Sequence, residues 1–473
     1  MELMNIQTRD WLRAPDLPRA LIGEFIALAL SFTALGAQAQ DRAAVARPSR
    51  ALPTLTFPAL SLSGPDARSD DAREFHATAL RDLKDSGAFQ LLNPGRPAAG
   101  SGASAFTFSP VPGTDLMLRF VSHSLARGKL LIEGECINVA TGAVIVKKSF
   151  LGQTAAVDRM AHRMVDFLVG KVTGTPGVAD SSLVFARDTA PGIKEIFEMD
   201  RDGRNQRQLT AFGSLTLHPA VSSDGKLAFV TYKGGPPQIW GQVQPKGPYQ
   251  LLYPKDGRAG MELSGLTWSP DGQRLGFVQG SPKGLADILC LELRSSRVAQ
   301  LTQGGHTSKS PSWSPDGTTI AYLYDRDGAP QVFLMASDGS HVRRLTSDPS
   351  AKACVSWSAK GDRIAYSALS EGQSDLYTLA PDGTGRQMVL STPEPVESLC
   401  WAPDGRSLLL GSLAGKDSHL RIVGLDGTIQ ALGGSRDGRQ FPQWIQNPAP
   451  AVAATPGPSS PYPVPALLGA ATP

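Results

Sequence analysis

The chain has 473 residues, of which 46 are Lys or Arg, 43 are Asp or Glu and 41% are hydrophobic, as expected for a globular protein of two or three domains. A formal charge of +3 over this length gives no basic stripe for a phosphate backbone, so we expect no nucleic-acid partner. There is no Gly-x-Ser-x-Gly elbow and no phosphate-binding glycine loop, which argues against a serine peptidase and a nucleotide-binding protein.

The first forty residues predict an export signal. Arg9, Arg13 and Arg19 precede an apolar run over residues 25–35, and the small residues of "AQA" at 37–39 suit a signal peptidase. The run has about half of the roughly 20 residues that a membrane-spanning helix needs, so a permanent anchor is the weaker alternative. We predict a signal peptide over residues 1–39 and a soluble, exported mature protein.

Residues 50–175 predict a small α+β domain. A strand over residues 52–62 contains Pro58, which predicts a position at a sheet edge. Strand-like runs around "LMLRFVSH", "KLLIEGECINV" and "AVIVKKSF" follow, and the turn "ATG" joins the last two into a hairpin. Two amphipathic helices flank these runs, and helical periodicity places one set of residues from each in the core: Ala72, Phe75, Ala79 and Leu83, then Val157, Met160, Ala161, Met164 and Leu168.

Beyond "TGTPG" at residues 173–177 the chain consists of strands and turns, and it repeats. The repeat is a turn box headed by Val221, Trp268, Trp313, Trp357, Trp401 and, truncated, Trp444. The intervals are 47, 45, 44, 44 and 43 residues, and each unit holds several short alternating strands, which is typical of propeller blades. We interpret these tryptophans as structural repeat residues.

The ends of the repeat predict how the ring closes. The first unit has its last three strands but no tryptophan strand, whereas the strand around Trp444 has nothing after it. If that final strand completes the first sheet, residues 181–447 form a six-bladed propeller without free sheet edges, and truncation before Trp444 opens it. The fold class is therefore an all-β six-bladed β-propeller preceded by a small α+β domain. The Pro- and Ala-rich tail, residues 448–473, predicts disorder or a semi-rigid spacer.

Few residues suggest catalysis or metal binding. Cys136, Cys290, Cys354 and Cys400 could form disulfides, but their spacing indicates no particular pairing or metal site. Because free cysteines are among the residues most often buried, we interpret them as small apolar residues packed inside strands. "DRDG" at Asp200 and Asp325 invites a calcium interpretation, but neither site supplies the later glutamate of a calcium loop, which favours tight turns. Among the scattered histidines, His162 predicts a surface or core-edge position, whereas His218, His306, His341 and His419 are predicted in blade loops. We expect no cofactor.

The chain resembles the TolB family, the periplasmic propeller proteins of the Tol-Pal envelope system. The similarity rests on "ALRDLKDSGAFQLLNPG", "RMAHRMVDFLVGKVTGTPG" and "LVFARD...IFEMDRDGRNQRQLT", in the family's order, together with the repeated "WSPDG". The resemblance implies a monomeric, non-catalytic periplasmic adaptor that binds the peptidoglycan-associated lipoprotein Pal and contacts the inner-membrane protein TolA. It also implies a contribution to outer-membrane integrity and cell division. The family's extended TolA-contacting segment is not matched by "QDRAAVARPSR".

Family partners bind at the loops that join the outer strand of one blade to the innermost strand of the next, and these loops differ most between units. The candidate partner-binding residues are the charged and imidazole side chains a few positions before each tryptophan: His218, Glu262, His306, Lys309, Lys352, Glu397 and Arg439. Individually, each is equally consistent with a solvated polar rim. The alternative function is a periplasmic propeller enzyme or carbohydrate-binding protein of the lyase type, which would need several His, Asp or Glu residues converging from adjacent strands.

Overall fold

The computed structural model describes residues 53–56, 70–92, 115–125, 127–255, 262–281, 283–303, 305–414, 417–432 and 438–446. The predicted signal peptide and the Pro-rich tail lie outside these residues. Within them, no helix combines the length and the apolar character needed to cross a membrane.

The N-terminal α+β region contains one mixed sheet and two helices. The elements are β1 (Thr54–Thr56), α1 (Asp70–Asp85), β2 (Gln90–Leu92), β3 (Leu116–Leu125), β4 (Lys129–Asn138), β5 (Val144–Gln153) and α2 (Val157–Thr173). The sheet order is β2-β1-β3-β4-β5, and β4 and β5 form the predicted antiparallel hairpin. The predicted inward residues of both helices are buried, and all of them except Ala72 belong to one core with the sheet, because each set recurs on a single helical face.

One prediction for this region is wrong. The strand around Leu55 was expected at a sheet edge because of Pro58, yet β1 lies between β2 and β3 and pairs in parallel with both. The described strand spans only Thr54–Thr56, and Pro58 lies outside the described residues.

The rest of the described chain forms six antiparallel sheets of four strands each, numbered here as blades 1 to 6. Blade 1 holds β6 (Ser181–Ala190), β7 (Ile193–Asp200) and β8 (Arg207–Gln208); blade 2 holds β9 (Thr216–Val221), β10 (Leu227–Thr231), β11 (Gln238–Gly241) and β12 (Gln250–Tyr253); blade 3 holds β13 (Leu263–Trp268), β14 (Arg274–Gly280), β15 (Ala286–Glu292) and β16 (Val298–Gln300). Blade 4 holds β17 (Thr307–Trp313), β18 (Thr319–Asp325), β19 (Gln331–Ala336) and β20 (Arg343–Arg344); blade 5 holds β21 (Ala351–Trp357), β22 (Ile364–Ser370), β23 (Gln373–Leu379) and β24 (Gln387–Thr392); blade 6 holds β25 (Val396–Trp401), β26 (Ser407–Ala414), β27 (Asp417–Gly424) and β28 (Ile429–Ala431).

The last strand, β29 (Gln440–Gln446), is the innermost strand of blade 1. It pairs antiparallel with β6, with Trp444 opposite Leu183, so both ends of the repeat meet in one sheet. Each innermost strand contacts the next, and β29 contacts β9 to complete the circle. The predicted six-bladed propeller behind an α+β region is confirmed.

Apolar packing between blades holds the ring together. Among the described propeller residues, six clusters of buried side chains occur, one between each pair of neighbouring blades. Two of the tryptophan indoles also cross a blade boundary: Trp268 donates to the Ala220 carbonyl at 3.1 Å, and Trp401 donates to the Ser356 carbonyl at 3.1 Å. Both faces of each sheet are covered in this way, and β10, for example, is buried along its whole length.

The repeated turn residues act locally. In blade 4, the Ser314 hydroxyl donates to Asp316 at 2.5 Å, and this carboxylate accepts the Thr318 N–H at 3.0 Å. Ser222 with Asp224 and Ser269 with Asp271 make the same bond in blades 2 and 3. An Asp that accepts backbone N–H groups stabilises a tight turn, which explains why "SPDG" recurs with the blade period.

The cysteines form no disulfide. Cys136 and Cys354 are buried, and burial raises the pKa of their thiols to about 11 and about 12 respectively. Cys290 is buried as well, and Cys400 is partly buried. Thiols in such surroundings are poor nucleophiles, in keeping with the predicted packing role.

Candidate partner-binding face

The propeller has two different ends. In a four-stranded antiparallel blade, the first-to-second and third-to-fourth connections lie at one end, called here the turn face, and the "SPDG" turns belong to it. The second-to-third connections and those between blades lie at the other end, called here the loop face. Each innermost strand begins at the loop face, so the side chains before each tryptophan are positioned there.

A β-bulge interrupts each innermost strand near the loop face. The pairing register with the second strand shifts there in all six blades. In four blades the residue three positions before the tryptophan position has φ between 51° and 57°, namely His218, Gly265, Ser310 and Phe441. A bulge bends its strand and increases the twist, so the first residues of these strands point away from the line of the remainder.

The two candidate histidines each contact an aromatic ring. The His218 ring lies 3.9 Å from the Phe441 ring, centroid to centroid, and thereby joins the innermost strands of blades 2 and 1. The His306 ring lies 5.6 Å from the Tyr324 ring in an edge-on arrangement within blade 4. His218 lies in β9, and His419 lies in β27, so the prediction of loop positions is wrong for both; His306 and His341 lie outside strands as expected.

Three of the candidate charges are at least partly exposed. Lys309 is exposed on β17, and Glu397 is partly exposed on β25 at the bulge. Glu262 is partly exposed just before β13, where its carbonyl accepts the Gly280 N–H at 2.9 Å. Together with the partly exposed His306, these side chains place both signs of charge on the loop face. Such a surface suits a polar protein partner.

Lys352 differs from this set because its side chain has no exposed area. Its ammonium donates to the Asp348 carboxylate at 2.6 Å and to the Ser350 carbonyl at 2.6 Å. Burial lowers the pKa of Lys352, and the hydrogen bond with Asp348 opposes this shift. Burial alone would raise the pKa of Asp348, but the hydrogen bond from Lys352 lowers it overall. Lys352 thus joins the start of β21 to the preceding loop and is not part of a solvated rim.

Arg439 is also buried, with 5% of its surface exposed. Its guanidinium donates to the Leu432 carbonyl at 3.0 Å and lies 5.3 Å from the centre of the Phe185 ring. It therefore joins the end of blade 6 to blade 1, where the ring closes. For both Arg439 and Lys352, direct contact with a partner would require loss of these bonds.

The loop face has further charges that the sequence analysis did not select. Arg326 and Asp327, in the second-to-third loop of blade 4, are paired at 3.1 Å, and Arg344 reaches the same carboxylate at 3.3 Å. In blade 1, Lys194 bonds Asp188 at 2.8 Å and the Gly438 carbonyl at 2.8 Å. These residues could have been selected from the sequence. In an antiparallel blade, the loop between the second and third strands lies at the same end as the loops between blades.

The described residues offer little chemistry for catalysis. In these parts of the chain, no group of three His, Cys, Asp or Glu side chains is arranged to hold a metal ion. The "DRDG" at Asp200 is a tight turn in which Gly203 N–H bonds the Asp200 carbonyl at 2.9 Å. His162 is buried, contrary to the predicted surface or core-edge position, because Asp82 accepts a hydrogen bond from its ring at 2.6 Å.

Comparisons of the sequence with known proteins agree on one family. A family model described as "TolB beta propeller domain" matches residues 169–447. The chain is 28% identical over 290 residues to "Protein TolB homolog" of Chlorobium luteolum, covering 59% of this chain and 64% of that protein. It is 30% identical over 305 residues to "Tol-Pal system protein TolB" of Anaeromyxobacter dehalogenans, covering 62% of this chain and 67% of that protein. The matched segments thus span about two thirds of these relatives' length.

A solved structure shares the architecture. The crystal structure of TolB from Acinetobacter baumannii superposes with a TM-score of 0.70 at 20% sequence identity, covering 85% of this chain and 98% of that chain. At this identity the likeness concerns the fold, and it extends over both the α+β region and the propeller.

Proposed function

This chain belongs to the TolB β-propeller family, and we propose that it is a non-catalytic periplasmic adaptor of a Tol-Pal-like envelope complex. Its partner at the loop face is a Pal-like, peptidoglycan-associated lipoprotein. The adaptor contributes in this way to outer-membrane integrity and to cell division.

The loop face carries this proposal. The innermost strands of the ring are alike in construction, but the polar side chains beside them differ from blade to blade and include the exposed Lys309 and the partly exposed His306, Glu262 and Glu397. Structural repetition accounts for the tryptophans and turns, but it does not require these charges. Varied polar side chains around a rigid scaffold are the usual arrangement for recognition of another protein.

A TolA-like inner-membrane protein is the second partner that family membership suggests. The contact would be made by the beginning of the mature chain, which lies outside the described residues. We propose this partner on family membership alone, and the Pal-like contact is therefore the better first test.

The test measures binding between the purified mature protein and the periplasmic domain of the Pal homologue encoded by the same genome, by isothermal titration calorimetry. We expect the double substitution His306→Ala and Lys309→Ala to weaken binding about tenfold, since a few interface residues usually carry most of the affinity.

The matched control is the double substitution His341→Ala and Lys360→Ala, which removes an exposed His and an exposed Lys from the turn face. We expect it to bind as the unmodified protein does. Absence of binding by the unmodified protein contradicts the Pal-like partner. Equal weakening by both variants contradicts the assignment to the loop face.

A further inference from the structure

The sheet of the α+β region has a free edge at β5. This strand is the last in the sheet order, and within the described residues its backbone pairs with β4 alone. An edge strand directs every second set of N–H and C=O groups outward, where another strand can bind them. All residues of β5 are described, so this edge is continuous from Val144 to Gln153.

Exposed apolar side chains accumulate at this edge. Seven large hydrophobic side chains are exposed in the part of the chain that the structure describes, and three of them, Val144, Ile145 and Leu151, are in β5. A fourth, Leu125, is at the end of β3 in the same sheet. A cluster of exposed apolar side chains marks an interaction site, whereas single ones need no such explanation.

Helix α2 lies alongside β5. The two elements are in direct contact at Gly152, where an added Cβ would be 2.6 Å from the Met160 sulfur. Further along the helix, Phe167 lies next to Lys148, so α2 runs back along the strand. The edge of β5 and the adjacent side of α2 are called here the edge groove. Its partly buried apolar side chains are Val146, Phe150, Phe167 and Val172.

Two lysines give the edge groove a positive charge. The Lys148 ammonium lies 5.4 Å from the centre of the Phe167 ring, and the Lys171 ammonium lies 5.8 Å from the centre of the same ring. Neither lysine forms a salt bridge within the described residues. The acidic residues of β4, Glu133 and Glu135, belong to the opposite face of the sheet, because side chains alternate along a strand. The edge groove therefore favours an acidic group.

The lysines of β5 leave its edge open. Lysine side chains often protect a free edge by extending past it into solvent. Here the Lys147 ammonium turns inward over the sheet and bonds Glu135 of β4 at 2.9 Å, and the Lys148 ammonium turns towards α2. Neither side chain therefore covers the outward backbone groups of β5.

We propose that the edge groove binds an extended segment of a partner protein, which adds to β5 as a sixth strand of this sheet. The segment carries an acidic residue opposite Lys148 and apolar residues two positions before and after it, opposite Val146 and Phe150. This pattern follows from the pleat, since every second residue of an added strand faces the same side as Lys148. The site is separate from the loop face and does not depend on the partner proposed there.

Charge favours a partner protein over other parts of this chain. A second copy would add a strand with two lysines and no acidic residue, since that is the composition of β5. Residues 41–50 contain three Arg and one Asp and are basic as well, and residues 448–473 contain no acidic residue. An acidic, extended segment of another protein is therefore the occupant that fits.

Fluorescence anisotropy with two synthetic peptides tests the proposal on the purified mature protein. The acidic probe is Thr-Val-Thr-Glu-Thr-Val-Thr, amidated and labelled with a fluorophore, and the basic probe has Lys in place of Glu. We expect saturable binding of the acidic probe and about tenfold weaker binding of the basic probe, because one favourable charge pair is lost. Absence of binding by both probes overturns the proposal, and so does equal binding.

Substitutions locate the site. The double substitution Lys148→Glu and Lys171→Glu should reverse the preference, so that the basic probe binds about tenfold more tightly than the acidic one. The matched control is Lys84→Glu with Lys360→Glu, two exposed lysines of α1 and of the turn face, and it should keep the original preference. An unchanged preference in the first variant overturns the proposal. If that variant does not fold, Lys171→Ala alone should weaken the acidic probe, and an unchanged affinity overturns the proposal.

Backbone methylation distinguishes strand addition from a purely electrostatic contact. Two further acidic probes carry N-methyl groups on alternate amides, one on the odd and one on the even positions. Only one edge of an added strand faces β5, so one probe should bind about tenfold more weakly than the other. Equal affinity of the two probes overturns strand addition. Dimers of the protein that the acidic probe dissociates, measured by sedimentation velocity, would show that a second copy occupies the edge and would overturn the choice of partner.

Discussion

The two faces of the propeller are built from the same strands but by different means. At the turn face, Ser and Asp recur with the blade period; partly exposed ion pairs join blade 1 to the α+β region, and a hydrogen bond from Arg406 to Thr173 joins blade 6 to it. At the loop face, the connections share no motif, and exposed charges of both signs lie around the ring. The comparison teaches that the residues repeated in every blade stabilise the fold, whereas the residues that differ between blades form the surface available for recognition.

The largest expected effect comes from opening the ring of blades, because both faces depend on its closure by β29. Deletion of residues 440–446 removes β29, leaves the edge of β6 unpaired and exposes the clusters between blade 1 and its neighbours. We expect loss of the cooperative thermal transition of the propeller, followed by association of the open chains, because free sheet edges pair with each other. Circular dichroism melting and size-exclusion chromatography measure both.

Gln446→Ala is the control for this deletion, because that side chain is exposed on the same strand. We expect its melting curve to match that of the unmodified protein. A deletion variant that stays monomeric with an unchanged transition would show that β29 is dispensable.

The next effect separates structural from recognition residues on the loop face itself. Lys309 and Lys352 are lysines of neighbouring innermost strands, but one is exposed and the other is buried against Asp348. Lys352→Ala should lower the free energy of unfolding by about 2 kcal/mol, because it removes a buried side chain and its bonds to Asp348 and Ser350, while the partly exposed Asp348 carboxylate keeps its 3.5 Å contact with Arg386. Lys309→Ala should change it by less than about 0.5 kcal/mol.

Urea unfolding of both variants checks this pair. A larger loss of stability from Lys309→Ala than from Lys352→Ala would show that exposure at the loop face does not distinguish recognition residues from structural ones. Lys352→Met, which keeps the length of the side chain but not the charge, should lie between the two if packing as well as charge stabilises the site.

The smallest effect concerns the tryptophans. Trp268→Phe keeps most of the buried ring but removes the bond to the Ala220 carbonyl across the blade boundary. We expect a loss of about 1 kcal/mol in the free energy of unfolding, as for one buried hydrogen bond. Trp357→Phe is the comparison, since its indole donates within its own blade, to the Gly361 carbonyl at 3.2 Å. Equal binding of the Pal-like partner by both variants is expected, because neither indole lies at the loop face.

Much of the fold could be predicted because it depends on local pattern. The helical faces of α1 and α2, the turn boxes and the orphan strand at Trp444 all follow from spacing along the chain. The errors arose where partners are distant in sequence. Leu55 lies in an interior strand because β2 and β3 pair with it, and His162 is buried because Asp82, 80 residues earlier, bonds it.

The candidate site was predicted less well for the same reason. His306, Lys309, Glu262 and Glu397 lie at least partly exposed at the expected end of the propeller, but Lys352 and Arg439 occupy equivalent sequence positions and are buried. Position relative to the tryptophan sets which end of a blade a side chain occupies. Exposure depends in addition on the neighbouring loop, here Asp348 for one residue and Leu432 for the other.

By itself, the sequence determined the number of blades, the direction of each blade and the strand that closes the ring, because these follow from periodicity and from counting strands at the two ends of the repeat. Only the tertiary structure decided which charges are available to a partner and which hold the molecule together. Burial of a charge depends on groups contributed by other blades or by the other region, and no spacing along the chain specifies that contact.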